Sequence, residues 1–272
     1  MLHGVDVSSW QGNIEPSILK FKGVGLDFCI SKATESTDYI NPNCDFVIQN
    51  CIKNKLLFGF YHYALNHNPK DEAQWFYKNT KGYNGVGIPA LDYEEWTSST
   101  KANVTFCEKF ITEYHRLTSV WPLLYISASH CQDFAGSWIP ENCGLWVAGY
   151  YEEQCNWPRV CPYDVSPWNY AAIWQFASDW TMKGHDGGLD GNVAFMDSNG
   201  WLKYAKGNGA ASKPGNVVSK VQKTCEELAK EVIAGKWGNG WNRQNALDTA
   251  YGAGTYDHVQ CIVNQMLGLD GC

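Results

Sequence analysis

Val86-Gly87-Ile88-Pro89-Ala90-Leu91-Asp92-Tyr93-Glu94 is an apolar run that ends on two carboxylates one residue apart. Residues i and i+2 of a strand point to the same face. Asp92 and Glu94 then share a face, with Cα atoms roughly 6.5–7 Å apart. Two like charges so close do not both ionise freely, so one pKa rises. A carboxylate beside a protonated carboxylic acid is the pair that glycosidic bond cleavage uses. A solvated surface Asp-x-Glu is common, so the surrounding pattern has to carry the argument.

That pattern is an alternation of short apolar runs with amphipathic stretches over about the first 205 residues. Strands are expected at Gly4–Ser8, Asp27–Lys32, Leu57–Ala64, Ile88–Glu94, Leu123–Ser127, Leu145–Gly149, Ala172–Phe176 and Val193–Met196. Helices are expected at Asn43–Asn54, Asp71–Thr80 and Ala102–Thr118, with Asn41-Pro42 and Asn68-Pro69 as starts. Strand–helix alternation reads as an α/β fold with parallel strands, and eight strands predict a closed, irregular (β/α) barrel. Chemistry in such barrels sits at the C-terminal strand ends. Asp6, Lys32, Glu35, Tyr61, His62, Tyr63, Asp92, Glu94, Tyr125, Ser127, Trp174 and Gln175 collect there. His62 reads as a hydrogen-bonding strand-end residue, and Lys32 with Glu35 as a structural ion pair.

Composition narrows the function classes. The 272 residues carry a net charge of −7, which argues against electrostatic nucleic-acid binding. There is no P-loop, no dinucleotide glycine pattern and no CxxC pair, so neither a cofactor nor a metal is expected. Thirteen Trp and 15 Tyr are more than a core needs. Flat aromatic faces suit sugar rings. No apolar run reaches the length of a membrane span, so no membrane insertion is expected. The opening Met-Leu-His-Gly-Val-Asp-Val has neither a basic leader nor a cleavage site. The expectation is a chain made without a secretory signal in a reducing cytoplasm, its 11 Cys mostly free thiols. Cys155 and Cys161 could form a loop disulfide, whereas Cys44 and Cys51 are too far apart along a helix.

Lys206–Asn216 is Gly/Ser/Pro-rich and reads as a linker. It divides a catalytic barrel at residues 1–205 from a small all-α module at 217–272. Three helices are expected in the module: Val218–Ile233, with Val221, Leu228, Val232 and Ile233 on one face, then Trp241–Tyr251 and Tyr256–Leu267. Trp237 is expected to fill its thin core.

Asp6-Val-Ser-Ser-Trp-Gln-Gly12 resembles the opening of family 25 glycoside hydrolases, the muramidases typified by phage and fungal lysozymes. Further segments match in order: Ile30–Glu35, Gly59–Ala64, Leu91–Glu94, Leu145–Tyr150, Ile173–Phe176 and Leu189–Asn192. The resemblance implies an irregular β/α barrel that cleaves the bond between N-acetylmuramic acid and N-acetylglucosamine in bacterial peptidoglycan. It places the catalytic acid on Glu94 and the group handling the 2-acetamido substituent on Asp92. It places two further acids on Asp6 and Asp190, with Asp186 a nearby rival for the last. Glu94 is expected to hold the proton and Asp92 to be ionised. Tyr61, Tyr63, Tyr125, Trp146, Trp174 and Gln175 are the candidate sugar contacts, with filling of the barrel mouth as the alternative for Trp146 and Trp174.

The C-terminal module resembles the CW_7 wall-binding repeat, on Ala229–Gly240, Arg243, Tyr256-Asp257 and Val259-Gln260. Trp237, Arg243 and Gln260 are the implied contacts. A helix-capping role for Arg243 is the structural alternative. One copy is present where the family often has several, so avidity would require self-association. Together these resemblances imply a phage endolysin that waits in the host cytoplasm for a holin and then lyses a Gram-positive wall. Two rivals stay open: a wall-binding protein with an inactive barrel, and a hydrolase of the other glycan bond (an N-acetylglucosaminidase or chitinase).

Overall fold

The computed structural model describes residues 1–14, 26–150, 158, 160–181, 185, 187–207, 209, 223–251 and 255–269. Two compact units are present. The larger contains Met1–Tyr150 and Pro162–Gly215, the smaller Tyr151–Cys161 and Asn216–Cys272. The expected positions of Val218, Val221, Asp186, Cys155 and most of the linker lie outside the described residues.

The larger unit is a closed eight-stranded barrel. Its strands are β1 (Leu2–Val7), β2 (Phe28–Glu35), β4 (Leu57–Tyr63), β5 (Ile88–Asp92), β6 (Leu123–Ser127), β7 (Leu145–Ala148), β8 (Ile173–Thr181) and β9 (Gly188–Ala194). A two-residue β3 (Tyr39–Ile40) pairs with the end of β2. The ring order is β1-β9-β8-β7-β6-β5-β4-β2, and the parallel β1–β2 pairing closes it. Eight strands are there, but the last spans Gly188–Ala194 and overlaps the expected Val193–Met196 at only two residues, and the strands are not all parallel. β9 runs antiparallel to both β8 and β1. Only residues 182–187 separate β8 from β9, and a parallel return needs a crossover of about a dozen residues or more.

Period-two alternation sorts side chains into the barrel or out toward the helices. Leu2, Phe28, Ile88, Leu123 and Ile173 form the apolar floor, with Ile30, Ala90 and Trp146 among the core residues above it. Gly4 belongs to the same inward series, and a Cβ there would lie 2.4 Å from the Phe28 ring. The Phe28 ring therefore fills the space a side chain would take. Continuing each inward series toward the strand ends reaches Asp6, Lys32, Tyr63, Asp92, Tyr125, Gln175 and Asp190. The barrel is thus apolar below and polar at its mouth.

Helices pack on the outward faces. In α1 (Cys44–Lys53), Cys44, Val47, Ile48 and Cys51 are buried at helical spacing. α2 (Pro69–Thr80) starts where expected from its cap: Asn68 accepts from Lys70 N at 3.0 Å and Pro69 takes the first turn. α3 (Thr100–Thr118) is capped by Ser99 and buries Phe106, Cys107, Phe110, Ile111 and Tyr114. After the short α4 (Ile139–Asn142), α5 (Ser198–Ala205) closes the floor: Trp201 packs on Phe28 and donates to Phe58 O at 3.2 Å.

The smaller unit has three described helices, α6 (Cys225–Ile233), α7 (Gly240–Tyr251) and α8 (Thr255–Met266). Thr224 and Glu227 form a reciprocal cap on α6. Leu228, Ala229, Val232, Leu247, Val259 and Val263 make the core, with Trp237 packed against it. Ile233, expected on that apolar face, is exposed because the helix ends there. Cys29, Cys44, Cys51, Cys107 and Cys143 are buried free thiols, as expected. Cys225 and Cys261 are instead each disulfide-bonded.

Candidate active site

Asp6 and Asp190 meet because β1 and β9 pair antiparallel with these two residues in register. Asp6 is buried. Its Oδ1 accepts from Gln175 Nε2 at 2.9 Å and from Asn192 Nδ2 at 2.5 Å. Its carboxyl also shares a hydrogen bond with Asp190. Burial, then the Asp190 charge, holds the Asp6 pKa well above the usual carboxylate value. Asp190 is raised to about 6, chiefly by burial.

Asp92 ends β5, and Glu94 lies just beyond the strand. Tyr93 between them turns outward, where its hydroxyl donates to Asn66 at 2.8 Å and to Asn103 at 3.2 Å. That anchor leaves Asp92 pointing inward and Glu94 on the rim. The two carboxyls share a hydrogen bond. Burial, then the Glu94 charge, raises Asp92 well above its ordinary value. Glu94 is also raised by burial, but the hydrogen bond from Asp92 works the other way. Both carboxyls are therefore raised, and Asp92 is the more deeply buried of the two. Among the described residues, Asp92 Oδ1 is the buried side-chain oxygen with no hydrogen-bond partner.

Gln175 joins the carboxylates to the tyrosines. Its Oε1 accepts from Tyr125 at 2.8 Å and Tyr150 at 3.3 Å. Tyr61 is buried beside the four acids, which together with burial raise its pKa. Tyr63 is partly exposed, donates to Glu95 at 3.0 Å, and lies under Lys32 Nζ at 4.5 Å. Lys32 pairs with Glu35 and draws both Asp92 and Glu94 toward ionisation.

The two tryptophans proposed as sugar contacts are buried, each 1% exposed. Trp174 alternates with the inward Ile173 and Gln175, so it faces out and donates to Gly149 O at 2.8 Å. Trp146 points inward and donates to Asn192 Oδ1 at 2.8 Å. Neither offers a face on which a sugar could stack. Both are supports for the mouth. Asn192 links Trp146 to Asp6, and the period-two step from Asp190 was the signal that could have found it.

A cavity of about 340 Å³ opens beside Glu94, lined also by Trp96, Tyr125, Ser127, Ser129, His130, Ala148, Gly149 and Tyr150. The Trp96 and His130 part of this wall was missed in the sequence. His62 is away from it: Nε2 meets Glu72 at 2.9 Å and Nδ1 meets Thr34 at 2.8 Å. In the smaller unit Arg243 bonds Gly238 O, Gln260 Oε1 and Asn239 Oδ1 at 3.0–3.2 Å. Trp237 donates to Glu231 at 3.2 Å and meets Tyr251 edge-on.

The acids also make stability depend on pH. In the unfolded chain an Asp titrates near 3.9, whereas Asp190 in the fold titrates near 6. Between these values the folded state keeps a proton that the unfolded state releases. This contribution is fully present below about pH 4 and is lost as pH rises through 6. Asp190→Asn is expected to flatten that slope and to raise the melting temperature above pH 6 by roughly 2–4 °C, for an effect near 1 kcal/mol after discounting solvent screening. Parallel melting profiles for the two proteins from pH 4 to 7.5 would contradict it.

A barrel mouth with paired carboxyls of raised pKa beside an open cavity is the arrangement of a glycoside hydrolase. The chain belongs to glycosyl hydrolases family 25, whose profile matches residues 5–185, and a CW_7 repeat matches residues 226–267. It is similar to an N,O-diacetylmuramidase of Chalaropsis sp, at 28% identity over 71% of this chain and 95% of that one. It is also similar to the lysozyme of Streptococcus phage Cp-7, at 28% identity over 90% of this chain and 65% of that one. Among solved structures, a lysozyme from Streptomyces coelicolor superposes with a TM-score of 0.65 at 26% identity, over 76% of this chain and 98% of that one.

Proposed function

We infer that this chain is an N-acetylmuramidase that cleaves the β-1,4 bond between N-acetylmuramic acid and N-acetylglucosamine in peptidoglycan. The observation that carries this reading is Asp92 Oδ1, a buried acceptor without a donor, next to Glu94 at the barrel mouth. The N–H of a 2-acetamido sugar is the donor it lacks. Accepting that N–H favours the ionised form of Asp92. The proton it shared with Glu94 then passes to Glu94. Glu94 protonates the leaving oxygen as the glycosidic C–O bond breaks, Asp92, Asp6 and Asp190 face the positive charge that grows on the sugar, and water adding to the anomeric carbon completes the hydrolysis. The acid is thus armed by the correct substrate. Tyr61, Tyr63, Tyr125 and Gln175 shape the ground on which that sugar lies. The muramidase and lysozyme relatives support the choice of bond.

The test is mass spectrometry of a borohydride-reduced wall digest. Muramitol ends are expected, and glucosaminitol ends would overturn the reading. Asp92→Asn keeps an acceptor oxygen but removes the negative charge and the shared proton, and is expected to lower kcat about 100-fold. Near-normal clearing of a wall suspension by that variant would remove Asp92 from the mechanism.

The similarity to the phage Cp-7 lysozyme extends over 260 residues. It supports an endolysin role, in which the chain reaches a Gram-positive wall from the host cytoplasm once a holin has opened the membrane. The CW_7 module, with Trp237, Arg243 and Gln260, holds the wall in this reading, and self-association supplies the avidity that a single copy lacks. Sedimentation of the full chain tests this last point: a monomer at working concentration removes it.

A further inference from the structure

The Trp96–His130 stack is an unusual wall for a site already crowded with carboxyls. The two rings lie 3.7 Å apart and within 7° of parallel. Trp96 is held from its sides by Tyr93 and Phe134, both edge-on. His130 Nδ1 meets Asp133 Oδ2 at 2.8 Å, so the imidazole is fixed both in its plane and in its rotation. One ring face is covered by Trp96. The side chain remains 32% exposed, and His130 lines the cavity that Glu94 also lines. The wall exists because Trp96 follows the β5 rim by four residues and His130 lies in the turn after β6, and β5 and β6 are neighbours in the barrel.

The position of this wall relative to the charges says which sugar it meets. Positive charge develops on the sugar whose bond is broken, and that sugar belongs over Asp92, Asp6 and Asp190. Of the four acids, Glu94 lines the cavity, whereas Asp92, Asp6 and Asp190 are not among its lining residues. Among the described residues lining it, Glu94 is the one carboxylate, and the rest are aromatic rings, hydroxyls and small residues. About 340 Å³ is at the small end of ligand sites and has room for one amino sugar. A partly apolar cavity with a single carboxyl on its wall suits a sugar that leaves without gaining charge. A rigid aromatic plane binds such a ring at low entropic cost.

We propose that His130, backed by Trp96 and oriented by Asp133, is the stacking platform for the sugar on the leaving-group side of Glu94, and so a specificity-determining residue of this enzyme. With Asp133 accepting from Nδ1, the Nε2 atom of a neutral ring is turned into an acceptor for a hydroxyl or acetamido N–H of that sugar. The proposal rests on the muramidase reading and assigns a binding role that the carboxylates do not supply.

Steady-state kinetics on a defined GlcNAc–MurNAc tetrasaccharide test it. His130→Ala and His130→Gln are each expected to raise KM about tenfold with kcat changed less than threefold. His130→Phe, which keeps the ring plane, should stay within about threefold of the parent in KM. Should His130→Ala fail to fold, the comparison of His130→Gln with His130→Phe decides. The proposal is overturned if both ring-deleting variants keep the parental KM, if their loss is confined to kcat, or if Phe is no better than Ala. A parent enzyme that does not cleave the tetrasaccharide would instead defeat the muramidase reading itself, so the two failures are distinct.

Discussion

Glu94→Gln is expected to lower kcat by about 10³-fold while KM and sedimentation with cell walls change less than threefold. General acid catalysis contributes roughly 10²–10⁴-fold, and the amide keeps the shape of the carboxyl without a proton to give. Its hydrogen bond with Asp92 can persist, so the mouth stays assembled. Lysis of a wall suspension reports the loss, and pelleting with walls reports retained binding. Because Glu94 is raised by burial, the parent enzyme should also lose activity as pH climbs through that elevated value, when the acid can no longer be kept protonated. A fully active Glu94→Gln protein would put the acid elsewhere.

The largest expected effect on stability lies outside the site. Glu72, on α2, is fully buried and accepts from His62 Nε2 at 2.9 Å, Leu65 N at 3.2 Å and His67 N at 2.7 Å. It thereby ties the end of β4 to the helix that follows. Burial lowers the pKa of His62, so the imidazole has little means of escaping into a charged, solvated form. Glu72→Ala leaves three donors facing an apolar space. Breaking such a buried cluster costs about 3–5 kcal/mol, against total stabilities of about 5–15 kcal/mol. At about 2–4 °C per kcal/mol for a domain of this size, the melting temperature should fall by roughly 10 °C or more. Turnover at low temperature, where the variant is still folded, should survive. A variant that melts within 2 °C of the parent would show that solvent reaches those donors.

Strand periodicity made most of the barrel legible. The run Leu123–Ser127 is a strand over those very residues, and the Asn68-Pro69 cap begins α2 where sequence placed it. Direction was harder, because an apolar run such as Val193–Met196 looks the same whichever way it points. Only the short link to β8 makes β9 antiparallel. Trp174 shows a second limit. Its residue type suits sugar stacking, but Ile173 and Gln175 claim the inward face and leave Trp174 to the helix side. How strongly each carboxyl is raised depends on burial depth, which the Asp-x-Glu spacing does not carry. The Trp96–His130 stack joins residues 34 apart through the β5–β6 pairing, a contact that no local pattern announces. Arg243 and Gln260 bond to each other as well as standing on the matching motif, so a clamp between α7 and α8 is part of what the motif specifies.

β1 is paired on both sides, to β2 and to β9. The second of these pairings joins residues nearly the whole barrel sequence apart, and long-range closure is entropically slow. A nascent chain that has emerged only as far as β7 already holds Asp6, Asp92 and Glu94, yet has no Asp190, Gln175 or Asn192 to fasten the first acid. Cutting power therefore arrives late in synthesis, when the final hairpin seals the ring.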